Sequence, residues 1–229
     1  MYYSQIEGKT VAFSFRPKEP GSAITHLIGI IYSIFLTPVL LIKAALSGAG
    51  ATVLIGCSIF ALSMVMLYTA STVYHSFNLS DKANSVLQKI DHMMIFVLIA
   101  GSYTPICLTV LRDGVGLVLL LVVWLLSLVG MIFKLFWSTC PKWLSSVIYI
   151  ALGWSCIADA KGLYTGLSNS GFLWLLCGGI LYTVGGIIYA MRFKKLNSIS
   201  PNFGSHEIFH IFVMLGNLCQ FYCVMMYCL

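Results

Sequence analysis

Residues Val115–Phe133 read VGLVLLLVVWLLSLVGMIF, without one charged side chain. A helix that crosses the hydrocarbon of a bilayer needs about 20 apolar residues. A membrane β-barrel would instead show alternating segments of about 10 residues. This run is long and does not alternate, so the only other way of satisfying the backbone in lipid is excluded here. The stretch is a transmembrane helix, read over 114–135.

Six further runs follow the same pattern: 22–43, 49–76, 90–111, 143–161, 171–192 and 206–228. Composition agrees. The 229 residues are 59% hydrophobic and 9% charged, against about 45–50% and about 25% for soluble domains. The expected fold is an all-α integral membrane protein, a seven-transmembrane helix bundle over 22–229. Residues 1–21 form a polar arm carrying Glu7, Lys9, Arg16, Lys18 and Glu19. The arm has no uninterrupted apolar core and so is not a secretory signal.

The connections carry Gly, Pro, Asn, Ser or charge: Gly48 and Gly50, the polar link 78–88, the turn Arg112-Asp113-Gly114, 134–142 with Pro141, 168–171, and 194–205 with Pro201 and Gly204. Lys9, Arg16, Lys18, Lys82, Lys89, Lys134, Lys142, Arg192, Lys194 and Lys195 fall on the N-terminal side, and only Lys43, Arg112 and Lys161 on the other. By the positive-inside rule the N-terminus is expected in the cytoplasm and the C-terminus outside. Trp137 and Trp143 flank the fourth connection, where an interfacial aromatic belt would sit. The net charge of +6 is thus topological, and nucleic acid is not an expected partner. Eight cysteines without a Cys-x-x-Cys pair read as apolar filler rather than a disulfide framework. Pro105 is expected to kink the third helix. Gly178-Gly179 and Gly185-Gly186 hint at close packing, although the frequency of Gly in membrane helices is account enough.

Ionisable groups inside spans point to function. The alternating direction of the helices puts His75 at the end of the second, Asp91 and His92 at the start of the third, and His206, Glu207 and His210 at the start of the seventh. All lie at one depth. His206 and His210 stand four apart, hence on one helix face. His-Glu-x-x-His is a zinc-protease signature, but Ile211 to Leu229 contain no Asp, Glu or His to complete it. Asp113-Gly114 falls on the wrong side, and Glu207 points off the two-histidine face. The reading is His206 and His210 as two metal ligands, His75 as the third, and Glu207 as a bystander at a helix N-terminus. Three His with an open position is the pattern of a catalytic Zn2+ site. Asp91 would act as a base toward the bound water, and Ser71, one turn before His75, would stand beside water or carbonyl. His26 is the rival ligand, and His92 points about 100° away from Asp91.

Ser71-x-x-x-His75, Asp91-His92, Gly101-Ser102-Tyr103-Thr104-Pro105 and His206-Glu207-Ile208-Phe209-His210 together resemble the hemolysin III family, the bacterial branch of the progestin and adipoQ receptor superfamily. Glu19 to His26 is similar to that family's first motif, with Ser22 where many relatives have Asn, and Gly178 to Gly185 is similar to its sixth helix. The resemblance implies seven helices, one zinc on the cytoplasmic side held by His75, His206 and His210, Asp91 on the zinc-bound water and Ser71 as a neighbour. It implies a bacterial inner (plasma) membrane location, membrane lipids as partners, and a role in membrane homeostasis through zinc-dependent hydrolysis of a lipid amide or ester. A pore-forming cytolysin and a non-enzymatic membrane sensor are the alternatives.

Overall fold

The computed structural model describes residues 2–6, 9–13, 17–112, 114–198, 200 and 202–229. Glu7, Arg16, Asp113 and Pro201 of the arm and connections lie outside them. Within the arm, β1 (Tyr2–Ile6) pairs antiparallel with β2 (Lys9–Phe13), Tyr2 opposite Phe13. Hydropathy does not register this hairpin.

The rest is helical: α1 (Pro20–Leu46), α2 (Ala51–Ser76), α3 (Asp81–Thr109), α4 (Gly116–Phe136), α5 (Lys142–Gly153), α6 (Ala160–Gly166), α7 (Asn169–Met191), α8 (Lys194–Asn197) and α9 (Ser205–Tyr227). A 3-10 segment, Trp154–Asp159, joins α5 to α6. Counting Lys142–Gly166 as one span, seven helices are long and apolar enough to cross a membrane. The chain is a multi-pass membrane protein.

The third span begins earlier than hydropathy indicates. Asp81 to Lys89 is too polar to lie in lipid, yet it is helical, with Ser80 accepting from the Ala83 amide at 3.4 Å as its N-cap. A polar helix can stand outside the hydrocarbon, and an apolar-run criterion is blind to it. The helix continues unbroken through Pro105.

Neighbouring spans pack in sequence order, α1 on α2, α2 on α3, α3 on α4, then α5 on α7 and α7 on α9; α1 against α9 closes the circle. In the most apolar stretches of α2, α3 and α9, 50%, 56% and 50% of residues are buried, against 28% or less in the other four spans. These three inner helices carry His75, Asp91 and the His206–His210 pair. The outer helices expose apolar side chains such as Phe35, Leu121 and Val129, which a bilayer solvates.

The glycine pairs of α7 do more than composition requires. A Cβ on Gly185 would sit 2.7 Å from Phe212, and one on Gly186 would sit 3.1 Å from Ile150. Two adjoining faces of one helix, about 100° apart, thus admit α9 and α5 together, the close packing that small residues allow.

Candidate metal centre

The chain entering α1 lies along the end of α2. The Lys18 amide donates to the Ser76 carbonyl at 3.3 Å and the Glu19 amide to the His75 carbonyl at 2.9 Å. Carbonyls at a helix C-terminus lack intrahelical partners, and this segment supplies two. Pro20, at the first turn of α1, has no amide hydrogen to satisfy. The arrangement sets the Glu19 side chain against His75, with Oε2 2.5 Å from Nδ1. That bond holds the Glu19 carboxyl below the usual carboxylate range, against the opposing effect of partial burial. Glu19 is therefore an anion and Nδ1 of His75 donates to it, which in the neutral ring leaves Nε2 its lone pair.

His210 is oriented in a similar way. Thr25 has one hydroxyl hydrogen, which goes to the Ser22 carbonyl at 2.9 Å. The Thr25 oxygen, 3.0 Å from His210 Nδ1, must then accept from it. Again Nε2 is left free. Hydrogen bonds of this kind on the far ring nitrogen fix the tautomer of metal-ligating histidines.

His206 completes the group. Its Nε2 lies 3.3 Å from His75 Nε2. Two nitrogens bound tetrahedrally to one zinc at about 2.0–2.1 Å would stand about 3.3–3.4 Å apart. Ligand atoms of His75, His206 and His210 all lie within 4.8 Å of one another. The three residues named from sequence therefore converge, and their donor atoms could hold a metal ion.

The other expected residues take distinct places. Asp91 is buried near His75, with Ser71 beside it. Ser71 is fully buried, with no hydrogen bond of normal geometry, and does not line the neighbouring cavity. His26 is not in the ligand group. Its ring lies flat on His210, centroids 3.6 Å apart and planes 9° apart, and neither nitrogen has a partner. His92 faces the cavity from α3 with Nδ1 unpartnered. Glu207 stands outside the ligand group, at the α9 N-terminus, and has a structural part there. It accepts from the Gly204 amide at 2.8 Å and from the Ser22 hydroxyl at 2.5 Å, tying the starts of α9 and α1 together. Ser22 thereby keeps a polar contact from a position where Asn was expected. Close approach here also requires Gly21, where a Cβ would come 1.9 Å from the Asn202 carbonyl oxygen.

Sequence reasoning missed Glu19 and Thr25 as supports of the ligands. The signal lay in their sharing one short motif with His26.

From Asp91, His92, His206 and His210 a cavity of about 200 Å³ extends among α3, α5, α7 and α9. Beyond its polar end the walls are chiefly apolar, among them Ile99, Leu111, Leu163 and Leu176. The 3-10 break contributes Trp154, Cys156 and Ile157. Tyr103 holds that break, donating to the Gly153 carbonyl at 2.6 Å and accepting from the Cys156 amide at 2.9 Å.

Comparison with known proteins gives one consistent result. The family model described as "Haemolysin-III related" matches residues 15–221. The chain is 42% identical over 211 residues to the "Hemolysin-3 homolog" of Bacillus subtilis (strain 168), covering 92% of this chain and 94% of the relative. It is 38% identical over 223 residues to the "Hemolysin-3" of Bacillus cereus, covering 97% of each. A shorter match, 35% over 82 residues, joins 34% of this chain to 24% of the "ADIPOR-like receptor IZH2" of Saccharomyces cerevisiae.

Proposed function

We propose, from the premise that this chain belongs to the haemolysin-III related family, that it is a zinc-containing enzyme of membrane lipid homeostasis that hydrolyses an amide or ester bond. One observation carries the reading: two of the three convergent histidines, His206 and His210, line with Asp91 the polar end of a chiefly apolar cavity inside the membrane domain. An acyl chain fits such walls, and its carbonyl would then lie at the polar end. The charge distribution supports a cytoplasmic N-terminus, and the two Bacillus relatives support a bacterial plasma (inner) membrane location.

His75, His206 and His210 would hold the ion through Nε2. When bound, zinc lowers the pKa of a water ligand toward neutrality and polarises a carbonyl. Glu19 and Thr25 keep the His75 and His210 rings in the binding tautomer. Asp91 accepts the proton released from water and returns it to the departing amine or alkoxide. Ser71, beside Asp91 and away from the cavity, positions that carboxylate. The apolar walls exclude bulk water, so only the polar end is wet.

The test is turnover of fluorogenic lipid amides and esters by purified protein, with zinc, after chelation, and in His206→Ala and Asp91→Asn. Loss of turnover in all three depleted forms is expected. Equal turnover by His206→Ala and wild type would sink the proposal. The name of the Bacillus cereus relative speaks of lysis, and a vesicle-leakage assay separates the two ideas. A chiefly apolar cavity favours a lipid chain over an ion path.

A further inference from the structure

Lys134 has no part in the chemistry above. It stands in the last turn of α4, and its side chain is 1% exposed. A lysine near the end of a membrane helix ordinarily snorkels to the headgroups. This one turns inward and lines the cavity. Its ammonium donates to Ser145 Oγ at 2.6 Å and lies 3.1 Å from Cys140 Sγ. Both are neutral partners. Among the described residues no ion pair joins Lys134 to a carboxylate. The rings of Phe133 and Tyr149, each 5.9 Å away, are at the limit of cation–π attraction.

Two more polar groups at that end are unspent. Ser146 Oγ is buried, faces the same cavity and has no partner. His92 Nδ1 is likewise unpartnered, and the ring feels the charge of Lys134. Clamping the α4–α5 turn would account for the bonds to Ser145 and Cys140. It would not account for a positive charge in a low-dielectric wall, nor for the idle hydroxyl and the unpartnered His92 Nδ1 beside it. An oxyanion would accept from Lys134 and Ser146, and from His92 in the tautomer with its proton on Nδ1.

We propose that Lys134, with Ser146 and His92, forms an anion subsite at the polar end of the cavity, and that the cavity takes an acyl amphiphile bearing an oxyanion, a phosphate or a carboxylate. The subsite rests on the reading of the cavity as a lipid site and narrows its substrate class. The chain runs along Ile99 and Leu176, the anionic head rests on Lys134, and a scissile carbonyl between them reaches the histidines.

Trp154 lines the cavity and reports on it. The experiment measures quenching by chain-brominated dodecyl phosphate, laurate and an uncharged monoacylglycerol of equal chain length. Purified protein in phosphatidylcholine nanodiscs is used, with Trp154→Phe to isolate the signal. Wild type is expected to bind at least one anionic amphiphile about tenfold more tightly than the uncharged one, the scale of a single charge-assisted contact. The two anionic probes separate phosphate from carboxylate. Lys134→Met should bind charged and uncharged chains alike, Lys134→Arg should keep the preference in part, and Ser146→Ala should weaken only the anionic probes, about threefold. Equal affinities in wild type, or an undiminished preference in Lys134→Met, overturn the subsite. If Lys134→Met does not fold, the wild-type comparison decides, repeated after chelation and in His206→Ala. A preference that survives both is held by Lys134. A preference that vanishes with the metal is held by the metal, which overturns the subsite and leaves hydrolysis standing. Absent turnover with an intact preference does the reverse.

Discussion

Removing the Glu19 carboxylate should weaken metal binding without unfolding the protein. Glu19 makes two contacts with α2, one through its backbone amide and one through its side chain, and substitution touches only the second. Glu19→Ala therefore keeps the amide bond that seats the segment on the end of α2. What it loses is the bond that makes His75 a better ligand and fixes its tautomer. A hydrogen bond to a charged group contributes about 1.5–3 kcal/mol, and loss of such a support lowers metal affinity about 10- to 100-fold. The Glu19 side chain is 42% exposed, so water screens part of the effect, and about tenfold is the expected result. Glu19→Gln retains a neutral acceptor with roughly half the strength, giving about threefold. His75→Ala sets the scale, since it deletes a ligand outright. The assay is competitive titration of purified protein against a zinc-chelating dye, with thermal unfolding measured in parallel. If Glu19→Ala holds zinc as tightly as wild type while folding normally, the assigned His75 tautomer and its support by Glu19 are both wrong.

Other outcomes follow from contacts of the same region. Thr25→Val removes the acceptor for His210 Nδ1 and should lower zinc affinity several-fold, read by the same titration; an unchanged value would show that Thr25 does not set the tautomer. Glu207→Gln weakens the tie between α1 and α9, so the melting temperature should fall by a few degrees while metal content by mass spectrometry stays equimolar; loss of metal instead would make Glu207 a ligand. Chelation should lower thermal stability, and zinc restored at about a hundredfold over Kd should return about 2.7 kcal/mol; a zinc-independent melt would mean that nothing binds the folded state selectively. Gly130→Ala puts a Cβ about where Phe96 already lies, 2.2 Å from its ring, and should cost about 1–3 kcal/mol, visible as earlier heat-induced aggregation in detergent.

Sequence periodicity and length sufficed for the seven spans because lipid imposes one solution on the backbone. They failed at Asp81–Lys89, where a helix leaves the hydrocarbon and its polar residues look like a loop. The ligand set was legible for a related reason: ionisable residues are rare in spans, and alternating helix direction puts His75, Asp91, His206 and His210 at one depth. Glu19 was not legible. It sits in a polar arm where a carboxylate is unremarkable, and only the pairing of its amide with the His75 carbonyl shows where its side chain goes. Lys134 was legible as a positive-inside residue but not as a buried one, because depth along a helix says nothing about which way a long side chain folds. Helix angle turned Glu207 away from the two histidines, and the structure keeps it out of their group; its bond to Ser22 was not legible, because it depends on how α1 meets α9.

The packing of α1 against α9 has a consequence for how the protein is made. The site draws Glu19 and Thr25 from the start of the chain, His75 and Asp91 from the second and third spans, and two of its three ligands from the last. A nascent chain halted before Ser205 carries a single ligand and an open ring of helices. If the three histidines hold an ion, its uptake would come last in biogenesis, because the group is complete only once the final span has been inserted against the first.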